Sequence, residues 1–125
     1  MQKYLHIKPS FDALVEMEDK SFEMDKNKIT TLLCSTDKMT TKIKFYPLDN
    51  QNKTSIPFSV LLNLENCSIA SQSEHGCQNI MVTKYPHDNI LLEVEPFLLY
   101  DTPIGEHKKE LTCGSEICTI FYTRG

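Results

Sequence analysis

An all-β fold, an antiparallel jelly roll or β-sandwich of about eight or nine short strands, is what this sequence predicts. Three observations lead there. The dominant hydrophobic period is two: in "SIPFSVLLNLEN" Ile56, Phe58, Val60, Leu62 and Leu64 share one face, while Pro57, Ser59, Asn63 and Glu65 share the other with Leu61. Stretches rich in Asn, Asp, Gly, Pro and Ser punctuate these runs. No window of helical length carries the i, i+3, i+4, i+7 pattern. Short strands without intervening helices imply antiparallel pairing in a closed or two-layered sheet.

The candidate strands, in order, are "KYLHIKP", "FDALVEME", "SFEMD", "KITTLLCS", "TTKIKFY", "SIPFSVLLNLEN", "CQNIMVTKY", "NILLEVE" and "CTIFYT". The second sets Phe11, Ala13, Val15 and Met17 against Asp12, Glu16 and Glu18, with Leu14 as the one interruption. Phe22 and Met24 continue the inward series. Ile43 and Phe45 alternate with Lys42 and Lys44, and Ile90, Leu92 and Val94 with Glu93 and Glu95. Turns are expected at "KPS", "DKNK", "STDK", "PLDNQNK", "SQSEHG", "YPHDN", "DTPIGEHKK" and "CGSE". Pro57 marks an edge or the start of its strand, because proline cannot donate to a ladder. The closing segment "LTCGSEICTIFYTRG" turns at Gly114 and Ser115. Its last strand sets Ile117, Thr119 and Phe121 on one face and Cys118, Ile120 and Tyr122 on the other, and two largely apolar faces predict a central or covered strand.

The 125 residues fit a single domain spanning 1–125, complete or cut from a longer chain, and about two-thirds of the unfolded surface can be buried at this size. Thirteen Lys and Arg are outnumbered by seventeen acids, for a net charge of −4. That balance argues against direct nucleic-acid binding, which calls for a basic patch, and fits a basic protein partner better. No apolar run approaches the ~20 residues that cross a bilayer, so no membrane span is expected. The opening "MQKYLHIKPS" has no signal-type apolar region.

Five cysteines, Cys34, Cys67, Cys77, Cys113 and Cys118, leave one thiol unpaired under any disulfide scheme. With the missing signal, this favours an intracellular location, nuclear or cytoplasmic, and free cysteines packed as small apolar residues. The alternative is a secreted or virus-encoded β-sandwich that binds an extracellular protein. In that case Cys67 would pair with Cys77 and Cys113 with Cys118, and the triplets beginning at Asn52 and Asn66 would accept glycans. A zinc centre on Cys67, Cys77, Cys113 and Cys118 would have gaps of nine and four residues, of which structural zinc favours only the second; no metal is expected.

His6, His75, His87 and His107 lie in separate segments and read as surface residues. No nucleophile elbow, histidine pair or phosphate-cradling loop appears, and Glu93 and Glu95 read as a solvated strand face. The expected role is non-enzymatic, without cofactor. The densest charge feature is "VEMEDKSFEMD", where Glu16, Glu18, Asp19, Glu23 and Asp25 form a candidate electrostatic surface for a basic partner.

Three segments, "EMEDKSFEMDKNKITTLL", "TSIPFSVLLNL" and "LTCGSEICTIFYTRG", together resemble the core domain of the nucleoplasmin family across Leu14 to Gly125, with an insertion around "CQNIMVTKYPHDNILLEVEPF". The resemblance implies an eight-stranded jelly roll that assembles into pentamers, sometimes paired as decamers, and acts as a histone chaperone or a scaffold for basic partners.

Overall fold

The computed structural model describes residues 2–35, 40–48, 55–74, 88–98, 100, 102–113 and 116–124, with side chains except at 111–113 and 116–118. Its elements are all strands: β1 (Gln2–Pro9), β2 (Ala13–Glu16), β3 (Ser21–Met24), β4 (Lys28–Ser35), β5 (Thr41–Pro47), β6 (Ser55–Ile56), β7 (Phe58–Leu62), β8 (Glu65–Glu74), β9 (Asn89–Val94), β10 (Phe97–Leu98), β11 (Gly105–Cys113) and β12 (Glu116–Arg124). A four-stranded sheet runs β8-β4-β1-β9, a six-stranded sheet runs β11-β12-β7-β5-β2-β3, and β10 pairs with β6. All pairings are antiparallel except β1 with β9.

The period-two pattern puts the core between the two larger sheets. Leu5, Ile7, Leu32, Ile90, Leu92 and Val94 from the narrower sheet join Ala13, Val15, Met24, Ile43, Phe45, Phe58, Val60, Leu62 and Ile120 from the wider one in a single buried cluster. The closing strand β12 lies inside its sheet, between β11 and β7, with Ile120 in the core and Phe121 half-buried on the outer face.

Among the described residues there are twelve strands where eight or nine are expected for the chain, and the differences have physical causes. Pro57 divides "SIPFSVLLNLEN" into β6 and β7, as a residue without an N–H must. The "SQSEHG" turn is overturned for Ser71–Glu74, which complete β8, and the "DTPIGEHKK" turn for Gly105–Lys109, which open β11. Both strands are sheet edges. Their side chains are largely exposed, so apolar alternation is absent there although the backbone pairs. The expected strand "CQNIMVTKY" lies outside the described residues.

Cys34 and Cys67 form a disulfide between β4 and β8, both half-cystines buried within the core cluster. This overturns the reading of both as free thiols and the pairing of Cys67 with Cys77, a residue outside the described set. A register shift between Leu33 and Ser35, and the left-handed φ of 50° at Asn66, put Cys34 and Cys67 at a Cα separation of 4.1 Å. The pairing of Cys113 with Cys118 does not fit the β11–β12 register either. Cys113 lies opposite Glu116 and Cys118 opposite Leu111. That makes the two cysteines diagonal neighbours, about 7–8 Å apart, beyond the usual reach of a disulfide.

His6 also departs from the surface reading: it is fully buried. It points away from the core cluster, on the outer face of the narrower sheet, and ties three strands together. Its Nε2–H donates to Asn89 Oδ1 at 2.5 Å, and the Thr31 hydroxyl, 2.9 Å away, donates to its Nδ1. Those bonds clamp β9 parallel to β1. Replacing Thr31 with valine keeps the shape and removes the donor. A buried imidazole nitrogen left without a partner costs about 1–3 kcal/mol, so T31V should lower the urea midpoint with little change in slope.

A candidate recognition cleft at the open side of the sandwich

The two long edges of the sandwich differ. At the β8–β3 side Gln72 Nε2 bridges the sheets by donating to the Glu23 carbonyl (3.0 Å) and the Thr30 hydroxyl (3.2 Å). At the opposite side β9 and β11, the edge strands of the two sheets, approach each other. Cross-strand partners share a face, so His107 and Lys109 of β11 point to the same side as Tyr122 and Ile120, which they oppose in register. Ile120 reaches the core. Lys109 stays exposed.

Between β9 and β11 is a cleft of about 640 Å³. Its floor is Phe58, Val94, Phe97, Ile120 and Tyr122, and its rim carries Glu93, Glu95 and Lys109. Glu93 and Glu95 are exposed, so the solvated-face reading matches their burial, but the face they occupy borders a concavity. The floor is built from rings in sequence. Phe45 stacks on Phe58 with centroids 4.9 Å apart, Phe58 meets Phe97 edge-on at 5.0 Å, Phe97 stacks on Tyr122 at 4.3 Å, and Tyr122 stacks on His107 at 5.0 Å. The series runs from the core to the surface, so the floor is held by the same packing that stabilises the fold.

One wall is formed by Leu98 of β10 and by Thr102 in the connection to β11, and side chains hold three backbone carbonyls there. The Thr102 hydroxyl donates to the Leu98 carbonyl (2.9 Å), His107 Nε2–H to the Pro103 carbonyl (2.8 Å), and Arg124 Nη1 to the Thr102 carbonyl (2.6 Å). The same connection displays Tyr100 and Ile104, 71% and 77% exposed, the two most exposed large apolar side chains among the described residues. Ile104 falls in the stretch read as a turn, and Tyr100 directly precedes it. Their signal was an aromatic and a branched aliphatic residue inside a polar loop.

The five acids proposed as an electrostatic surface fall into two groups. Glu16, Glu18, Asp19, Glu23 and Asp25 are all exposed. Glu16, Glu18 and Asp19 gather at the β2–β3 turn, where Asp19 lies 3.8 Å from Lys20 and Glu16 faces Lys44 across the ladder. Asp25 sits past the other end of β3, a four-residue strand about 13 Å long. Its Oδ1 accepts the Asn27 N–H at 2.8 Å, so part of its charge serves its own turn. Glu23 and Asp25 border a shallower depression with Asp12, Lys28 and Gln72. Of the two glycan acceptors, Asn66 is exposed on β8 and Asn52 lies outside the described residues. Among the described residues no three His, Cys, Asp or Glu side chains gather as a metal site, and no helix is long and apolar enough to cross a membrane.

No protein-family model matches the chain, no curated protein is significantly similar to it, and no solved structure matches its fold.

Proposed function

We propose that the chain is a non-enzymatic recognition domain, a disulfide-closed β-sandwich of an oxidising compartment that holds a protein partner at the cleft between β9 and β11. The observation that carries this reading is the placement of Tyr100 and Ile104. Two large apolar side chains stand in solvent on the stretch that follows β10, where Leu98 and Thr102 line an aromatic-floored cleft and the Thr102 and Pro103 carbonyls are held by Arg124 and His107. Apolar anchors on a pre-ordered segment lose little entropy on binding, and aromatic anchors dominate protein interfaces. The polar groups near the floor support binding over catalysis, since the Thr102 hydroxyl and His107 Nε2–H are already engaged with backbone carbonyls. The buried Cys34–Cys67 bond supports the compartment, because disulfides persist where thiols are not kept reduced.

A photo-crosslinking residue at position 100 should trap one discrete partner, and Ile104→Ser should abolish that adduct without altering the unfolding midpoint. The second reading is an assembling scaffold for basic partners, with the jelly-roll pentamer of the nucleoplasmin resemblance. It is favoured by the exposure of all five acids. Under that reading the adduct forms from a crosslinker at position 18 instead, and light scattering reports a particle near five subunits. Trapping at 18 and not at 100 would refute the cleft as the recognition surface.

A further inference from the structure

We infer that Asn66 carries an N-linked glycan whose role is to shield the outer edge of β8. This rests on the oxidising-compartment part of the reading above. β8 spans Glu65–Glu74 and is the longest strand among the described residues. It lies at the edge of its sheet, and its sequence "ENCSIASQSE" has no charged residue between the terminal glutamates. Asn66, Ser68, Ile69, Ala70, Ser71 and Gln72 are all exposed, Ile69 to 43%. Long uncharged edges template pairing with other chains, and proteins blunt them with lysine, proline, bulges or a cover. The register shifts bend β8, Lys20 Nζ donates to the Cys67 carbonyl and Gln72 reaches β3, which leaves residues 68–71 exposed with no charge of their own.

The acceptor triplet Asn66-Cys67-Ser68 lies at the start of this edge. Cys67 turns inward to its disulfide, and the flanking Asn66 and Ser68 turn outward. The side chain to be modified and the hydroxyl that completes the triplet are thus both in solvent, while the residue between them anchors the strand. In the transfer, Asn66 Nδ2 attacks the anomeric carbon of a lipid-diphosphate-linked oligosaccharide. A carbon–nitrogen bond forms, the carbon–oxygen bond to the diphosphate breaks with its electron pair, and Nδ2 gives up one proton. The left-handed backbone at Asn66 is a separate property, since asparagine tolerates φ near +50° better than most residues.

Ser68→Ala separates the two roles, removing the acceptor triplet while leaving Asn66 and its backbone in place. The chain is directed into the secretory pathway of a eukaryotic cell. Glycopeptide mapping reads Asn66 occupancy, non-reducing alkylation reads the Cys34–Cys67 bond, and light scattering reads self-association. The expected result is an occupied Asn66 in the parent. S68A should be bonded at Cys34–Cys67, unoccupied at Asn66, and more self-associated than the parent. A bonded parent without sugar on Asn66 overturns the glycan and leaves the compartment reading standing. An unbonded chain overturns the compartment reading itself. An S68A protein as dispersed as the parent overturns the shielding role.

Discussion

Replacing Phe58 with alanine should cost about 3–5 kcal/mol, the range for deleting a buried aromatic side chain. Phe58 is the junction of the core. From β7 it stacks on Phe45, meets Phe97 edge-on, and lies 6.0 Å from the tilted ring of Phe11. Those neighbours sit on β5, on β10 and in the segment before β2, so no single rigid shift can close the space it leaves. Against a typical total stability of about 5–15 kcal/mol, the loss takes a large share, and the variant should unfold at a much lower denaturant concentration. The same substitution removes the cleft floor, so crosslinking from position 100 should fall as well. Phe121→Ala is the control: Phe121 is one strand away in the same sheet but half-buried on the outer face, under Lys108 at 6.0 Å. It should cost distinctly less. Equal losses at 58 and 121 would contradict the division of the wider sheet into a core face and an outer face.

The pattern that makes Phe58 central was legible in the sequence because it repeats. Ile56, Phe58, Val60, Leu62 and Leu64 fall on alternate positions, and all five are buried. Ala13, Val15 and Met17, and Ile90, Leu92 and Val94, behave alike. Alternation reports one buried face, so it fails where a strand has none or two. β8 and β11 are edges with much of their side-chain surface in water, and their composition resembles that of a turn. β4 fails in the other direction: Ile29, Thr30, Thr31 and Leu32 are consecutively buried, which period two cannot register. His6 was misjudged for the same reason. It occupies an outward position at the centre of β1, where Leu5, His6 and Ile7 are consecutively buried and Thr31 and Asn89 make an imidazole tolerable. The cleft depends on β9 and β11 being the edges that meet, a property of strand order. No local sequence window records strand order, so the cleft could not be placed from the sequence.

Removing the Cys34–Cys67 bond should cost about 3–4 kcal/mol, on the chain-entropy account of a cross-link closing a loop of this length. The two half-cystines are 33 residues apart, and the loop between them contains β5, β6 and β7. The bond therefore ties the edge strand β8 to β4 across a segment that builds the middle of the other sheet. Strand pairing alone holds β8 less well at this end, because the register shift at Leu33–Ser35 interrupts the ladder where the bond lies. The Cys34→Ala/Cys67→Ala variant should show the loss in full without reductant. The parent should lose the same amount when reductant is added, and the variant should lose nothing more, since the apolar packing of the two positions is largely kept. Cys77→Ala tests the partner assignment. A bond between Cys34 and Cys67 leaves its reductant sensitivity equal to the parent's, whereas a bond between Cys67 and Cys77 would abolish that sensitivity. If Cys34→Ala alone remains as reductant-sensitive as the parent, the stabilising bridge lies elsewhere and β8 is held by its ladder alone.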